Sequence, residues 1–172
     1  EIYLNKMKED DRQTLQQLAD YEYELIELGE EEIQPFFEEK DFEAINVTIP
    51  YKETVIPYLD EIDTHAKTIG AVNTIVNRNG KLCGYNTDFY GFRYLLEQNK
   101  ISVQNKKVLV LGKGGASKAV IAVLKELGAS KILTVYYKAA PDTISYESCY
   151  TEHNDAQLII NTTPVGMHPH AD

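Results

Sequence analysis

The sequence is poor in the features that mark several protein classes. It has only two cysteines, Cys83 and Cys149, far apart and with no C-x-x-C pair, and no histidine stands at ligand spacing from either. Neither a disulfide framework nor a zinc site has support, and both thiols read as small buried hydrophobes. No apolar run approaches the roughly 18 residues of a membrane helix, and Glu1-Ile2-Tyr3-Leu4-Asn5-Lys6 lacks the basic and apolar regions of a signal peptide. The cytoplasm is the expected compartment, with no membrane partner. Basic residues are in deficit: 17 Lys and Arg against 27 Asp and Glu leave a formal charge of −10. That balance opposes sequence-independent binding to phosphate backbones, so no nucleic-acid partner is expected, although a local basic cluster still suits one small anionic ligand. Internal repeats and low-complexity tracts are lacking too.

What is present is a chain of 172 residues, 43% of them apolar, enough for one ordinary domain or two small ones. Leu15, Leu18 and Ala19 share one face behind Asp10-Asp11 and predict a helix in the first 20 residues. Tyr21 to Leu28 alternates like a half-buried strand. Glu30 to Glu39 places Ile33, Phe36 and Phe37 at helical spacing, and Ala44 to Ile49 is a β-branched run that stops at Pro50. A helix is expected from near Tyr51. Strands at Ala71 to Val76 and Lys81 to Asn86 flank Asn77-Arg78-Asn79-Gly80, a hairpin turn. Asp88 to Asn99 predicts a helix with Phe92, Leu95 and Leu96 inward. The polar stretch Lys100 to Lys107 reads as a linker, which sets the expected domains at 1–103 and 104–172.

From Lys107 the pattern changes. Val108-Leu-Val-Leu111 is continuously apolar, as in a parallel strand buried on both faces, and leads into Gly112-Lys113-Gly114-Gly115-Ala116 and a helix to Leu127. Gly128 closes that helix, Lys131 to Val135 supplies the next parallel strand, and Ala156 to Ile160 a later one. Small residues at such a turn let a backbone approach a pyrophosphate, while the helix N-terminus offers unpaired N–H groups and the positive end of its dipole. A tight turn that uses glycine only for its geometry is the competing reading. The end of the second strand selects between cofactors, a carboxylate holding the ribose 2′-hydroxyl of NAD and a basic group the 2′-phosphate of NADP. Here it reads Tyr136-Tyr137-Lys138. Lys138 suits a 2′-phosphate while a tyrosine ring packs on adenine, which favours NADP; an ordinary solvated loop lysine competes, and NAD stays open.

The first half carries polar residues at the ends of predicted strands: Asn46-Val-Thr48-Ile-Pro-Tyr-Lys52, Gly70-Ala-Val-Asn73-Thr74 and Gly84-Tyr-Asn86-Thr-Asp88. Such a set can line a cleft for a polyhydroxylated small molecule. Caps and turns are the plainer account, Asp88 as an N-cap and Asn73 as a turn residue. Together with V-L-V-L-G-x-G-G-A and I-I-N-T-T-P-V-G-M, the motifs N-V-T-I-P-Y-K, G-A-V-N-T and Y-N-T-D resemble, in this order, the shikimate dehydrogenase family, over about residues 21 to 168.

The resemblance implies an α/β protein with an N-terminal α/β substrate domain, a Rossmann-type doubly wound NADP-binding domain and an active site between them. It implies an oxidoreductase that reversibly reduces 3-dehydroshikimate to shikimate with NADP, in the shikimate pathway of chorismate and aromatic amino-acid biosynthesis. Lys52 and Asp88 match the family's catalytic pair, and Asn46, Thr48, Asn73 and Asn86, with Asp88, its substrate site. Thr48, Asn73 and Asp88 are the better candidates for direct contact, Asn46 and Asn86 for holding loops. Gly112, Lys113, Gly114, Gly115, Ala116, Thr162, Val165 and Met167 are the matching cofactor residues, the last two beside the nicotinamide, and Tyr136, Tyr137 and Lys138 are cofactor candidates by their place after the second strand. No metal is needed, and a monomer or homodimer is expected.

The chain also departs from the family. The serine-bearing H-S-x-S-P-like segment has no match, since Ser, His and Pro are absent from residues 1 to 34, and the chain ends at Asp172, before the C-terminal Gln and Tyr that contact substrate. The expectation is a first domain incomplete at its N-terminus and a second truncated at its C-terminus. Tyr136-Tyr137-Lys138 replaces N-R-T-like residues and so loses the arginine fork suited to a phosphate, and Phe89 and Tyr90 stand where a glycine often follows N-T-D. His65, His153, His168 and His170 match no catalytic position. The alternatives are quinate as substrate with NAD as cofactor, another G-x-G-G dehydrogenase, and a non-catalytic nucleotide-binding fragment or relative.

Overall fold

A computed structural model describes residues 24–48 and 50–165. The helix expected in the first 20 residues lies outside that range, as do Tyr21 to Tyr23, Ile49 and Met167. By packing, the chain forms two compact units that divide at Tyr85/Asn86.

In the first unit a 3₁₀ turn, Glu30–Glu32, leads into helix α1, Ile33–Glu39. Ile33 and Phe37, four residues apart, are its buried face. The Phe37 ring stacks on Tyr58 at 5.1 Å and Phe36 on Phe42 at 5.2 Å, so aromatic side chains fill the space between helix and sheet. The sheet has the order β1-β3-β4-β2, with β1 Ala44–Asn46, β2 Glu61–Ile62, β3 Thr74–Arg78 and β4 Lys81–Tyr85. β3 and β4 are the expected hairpin. Asn79 and Gly80 take φ of 55° and 85° at its tip, the left-handed pair that a two-residue turn requires.

Several expectations for this unit are corrected. Glu24 to Leu28 forms no ladder; Leu28 is tied instead through its carbonyl, which accepts from the Tyr51 hydroxyl at 2.9 Å. The helix from near Tyr51 is a series of turns ending in a 3₁₀ helix at Ile56–Tyr58, because Pro57 has no N–H to continue an α-helix. Helix α2, Thr64–Ile69, was not expected, although both its ends are written in the sequence. The Asp63 carboxylate accepts from the His65 and Ala66 N–H groups, and Gly70 closes it at φ 70°.

The second unit opens with α3, Thr87–Gln98, which packs against α4, Gly115–Glu126, and is joined to it by an Arg93–Glu126 ion pair. That packing groups residues 86–103 with the second compact unit. The polar stretch at 100–107 is tied to the second unit as well: Val103 is buried, and Asn105 N–H donates to the Gly128 carbonyl. Within α3 the inward stripe is Phe89, Phe92 and Leu96; Leu95 flanks it and is 51% exposed, against expectation.

The second sheet is wholly parallel in the order β7-β6-β5-β8, with β5 Lys107–Leu111, β6 Lys131–Val135, β7 Thr143–Ile144 and β8 Leu158–Asn161. Val108, Leu109 and Val110 are all buried. Leu109 packs in a cluster with Val135 and with Cys149 of α5, Tyr146–Glu152, while Val108 and Val110 alternate to the opposite face. The continuous apolar run thus meets cover on both sides. Cys83 and Cys149 are free and buried, as expected.

Candidate active site

In the first unit, backbone hydrogen bonds gather four of the predicted residues at one end of the sheet. Asn46, last in β1, pairs in register with Thr74, first in β3. Val47 N–H donates to the Asn73 carbonyl at 2.9 Å, and Asn73 N–H to the Tyr85 carbonyl at 3.0 Å. Val72 N–H donates to the Lys52 carbonyl at 2.8 Å, and Tyr51 N–H to that of Thr48 at 2.8 Å. The turn bearing Thr48 and Lys52 is therefore stitched to the strand entry bearing Asn73. The Thr74 hydroxyl donates to Asn73 Oδ1 at 3.1 Å, which orders that amide; Lys52 and Thr48 are half-buried.

Asn86 and Asp88 belong to the second unit. Asn86 is the N-cap of α3 in position, with extended backbone and no side-chain cap bond, so Asp88 is not the cap that the plainer reading made it. Asp88 sits one residue inside the helix, where the dipole favours a carboxylate. Asn86 is 1% exposed. Its depth fits a residue that holds a loop.

The glycine turn follows β5, which has β6 on one side and β8 on the other. Strand order reverses there, and ligands of open parallel sheets bind outside the carboxyl ends of the strands at such a point. Gly112 has φ 107°, and a Cβ on it would lie 2.8 Å from the Thr162 hydroxyl oxygen. That hydroxyl donates to the Leu111 carbonyl at 2.6 Å, so Thr162 locks β8 onto the turn. Nothing lies within 4 Å of a Cβ built on Gly114, the N-cap of α4. Among the described residues no side chain caps the first turn of α4, which begins with Gly115 and Ala116. The residues present fit a dinucleotide pyrophosphate.

Beyond β6 the Tyr136 and Tyr137 rings meet edge to face at 4.8 Å, and Lys138 Nζ lies 5.0 Å from the Tyr137 ring centroid. Hydrogen bonding to Tyr137 raises the Lys138 ammonium above its ordinary value, and the same bond lowers the Tyr137 phenol. Hydrogen bonding with Tyr137 raises Tyr136. Lys113 Nζ donates to the Pro141 carbonyl at 2.9 Å. At the end of β8, Asn161 Oδ1 accepts from the N–H and hydroxyl of Thr163, a side-chain-built turn that leaves Val165 74% exposed. Asn161 and the buried Ser117, whose hydroxyl donates to the Gly114 carbonyl at 2.7 Å, shape the turn and were missed. Their signal was position: Asn directly after an apolar strand, Ser in the first turn after glycines. Among the described residues no group of three or more His, Cys, Asp or Glu is placed to hold a metal, and no helix is long and apolar enough to cross a membrane.

Residues 11–75 match the family model described as the shikimate dehydrogenase substrate binding domain. The chain is 41% identical over 160 residues to the NADP(+) shikimate dehydrogenase of Clostridium beijerinckii, covering 87% of this chain and 59% of that protein. It superposes on the crystal structure of shikimate dehydrogenase 1 from Peptoclostridium difficile with TM-score 0.76 and 35% identity, over 92% of this chain and 63% of the other. The Thermus thermophilus enzyme in complex with NADP(H) and shikimate gives TM-score 0.66 at 30% identity, over 80% and 53%. The chain thus spans somewhat over half the length of the relatives it matches. With a matched substrate-domain segment, the Rossmann-type turn and this likeness across both units, the chain belongs to the shikimate dehydrogenase family.

Proposed function

We propose that the protein containing this chain catalyses the reversible reduction of 3-dehydroshikimate to shikimate with NADP, with Lys52 and Asp88 as its acid–base pair. In this reading residues 1–103 serve substrate binding and 104–172 cofactor binding. The observation that carries it is the Val72 N–H bond to the Lys52 carbonyl, which fixes the Lys52 turn beside Asn73 whatever the side chain does.

When bound, NADP supplies or accepts the hydride. Forming the alcohol from a ketone requires a proton at the oxygen, and the Lys52 ammonium donates it; in reverse, neutral Lys52 takes the hydroxyl proton. Its positive charge also stabilises the oxyanion as it develops. Asp88 accepts a hydrogen bond from a substrate hydroxyl. Thr48 and Asn73 bind further hydroxyls, and Asn46 and Asn86 hold the loops that present them. Gly112 to Ala116 hold the pyrophosphate, Tyr136 to Lys138 the adenosine end, and Thr162, Val165 and Met167 border the nicotinamide. The protein works in the cytoplasm as a monomer or homodimer, as part of chorismate and aromatic amino-acid synthesis.

One observation favours a second reading of the cofactor: the segment after β6 has no arginine, which admits NAD, and quinate with it. The test is an absorbance assay at the reduced-nicotinamide band on the complete gene product, with shikimate or quinate against NADP or NAD. Turnover of shikimate with NADP above the other three pairings is expected. Silence with all four would leave a non-catalytic nucleotide-binding protein.

A further inference from the structure

We propose that Lys113, the lysine inside the glycine turn, recognises the 2′-phosphate of the cofactor together with Lys138, two ammonium groups taking the part of an arginine. The inference rests on the dinucleotide-binding reading of the second unit and assigns which residues within it choose between NADP and NAD.

The argument begins with the register of the sheet. Leu111 and Val135 are paired, so β5 and β6 end side by side, and neighbouring strands lie about 4.8 Å apart. Lys113 follows the first of these ends by two residues and Lys138 the second by three. Adjacent strand ends therefore carry two lysines that stand 25 residues apart in sequence. The Lys113 side chain reaches sideways to the Pro141 carbonyl, in the loop after β6. Its charge is thus delivered to the place where the ribose is selected, while the pyrophosphate is left to the backbone N–H groups of the turn.

The loop is shaped to receive it. Tyr136 N–H donates to the Ile144 carbonyl at 3.0 Å and the Thr143 hydroxyl to the Ala140 carbonyl at 2.8 Å, which folds residues 136–144 back on themselves. The fold turns the Pro141 carbonyl to Lys113 and keeps Lys138 by the Tyr137 ring. A phosphate dianion would exchange a neutral carbonyl partner of Lys113 for one of opposite charge, adding an ion-pair attraction to the hydrogen bond. The carboxylate of the segment, Asp142, supplies the opposing preference, since an acid near this place favours an unmodified ribose.

The test measures binding, without turnover, by calorimetric titration of the full chain with adenosine 2′,5′-bisphosphate and with adenosine 5′-monophosphate, which differ by the 2′-phosphate alone. The chain should prefer the bisphosphate by at least about tenfold, the scale of one charge-assisted contact. Lys113→Met should lower that preference several-fold, the bisphosphate losing clearly more affinity than the monophosphate, and Lys113→Met with Lys138→Met should abolish it. Circular dichroism establishes that the variants fold. Equal weakening of both nucleotides by Lys113→Met would overturn the inference by assigning Lys113 to the shared part of the ligand, and so would an undiminished preference. A wild-type chain that binds both nucleotides equally, or the monophosphate more tightly, would overturn it while leaving the dinucleotide-binding reading intact. A folded chain that binds neither would overturn both.

Discussion

The two units prepare ligand-facing chemistry in opposite ways. In the first, backbone hydrogen bonds bring Asn46, Thr48, Lys52 and Asn73 to one end of a mixed sheet, and in the proposed function their side chains carry the chemistry. In the second, Gly112 and Gly114 stand without side chains at the switch point of a parallel sheet, and in the proposed function the backbone carries it. A residue that acts by its side chain can be deleted without harm to the fold; one that acts by having none cannot be added to.

The largest effect expected is in the first unit's frame. Phe37→Ala removes the ring stacked on Tyr58 and should cost about 3–5 kcal/mol, read as a fall in the urea midpoint at unchanged slope. A loss under about 1 kcal/mol would mean that the aromatic packing does not support this sheet. Lys52→Ala should lower turnover of shikimate by the complete gene product by at least ~10²-fold, with nucleotide binding and urea midpoint retained. Its carbonyl still accepts from Val72. Near-wild-type turnover would remove the role given to the side chain.

Gly112→Ala tests the other half of the contrast. It places a Cβ at φ 107° and 2.8 Å from Thr162 Oγ1, which should cost about 1–3 kcal/mol and weaken nucleotide binding at the same time. Retention of both would show that the turn tolerates a side chain. The smallest effect concerns pH. The Leu82 N–H bond, ahead of the attraction of Lys40, holds the Asp60 carboxyl below its ordinary value. A carboxyl lowered on folding contributes stability above its unfolded pKa, and that contribution is lost as pH falls through the folded value. Asp60→Asn should therefore slightly flatten the loss of stability below about pH 4, and an unchanged acid limb in urea titrations from pH 2 to 7 would refute it.

How far the sequence could be read follows the same division. The unit from β5 to β6 was legible because a continuous apolar run, a glycine turn and a closing Gly128 all mean one thing locally. Glu24 to Leu28 alternates as strands do but found no partner strand, and partnership is not a local property. β2 and β7 are two residues each, too short to leave a periodicity, while α2 and α5 are announced only by their caps, Asp63 and Ser145. The polarity of residues 100–107 concealed attachment through backbone, at Asn105 and Lys106, that side-chain character does not reveal. Within the site, Asn46, Thr48, Lys52 and Asn73 were legible as a set, since Asn46 ends β1, Thr48 and Lys52 follow it in one motif, and Asn73 leads into β3. Lys113 was read as one more residue of the glycine turn, because its reach to Pro141 depends on a loop with no periodicity of its own.

The two cysteines have a practical consequence. Both are buried and so shielded from reagents, and burial also raises the Cys149 thiol above its ordinary value. A cysteine introduced at an exposed position such as Tyr150 would react with maleimides well ahead of the native pair. Fluorophores or spin labels can then report on the second unit in an otherwise unmodified background.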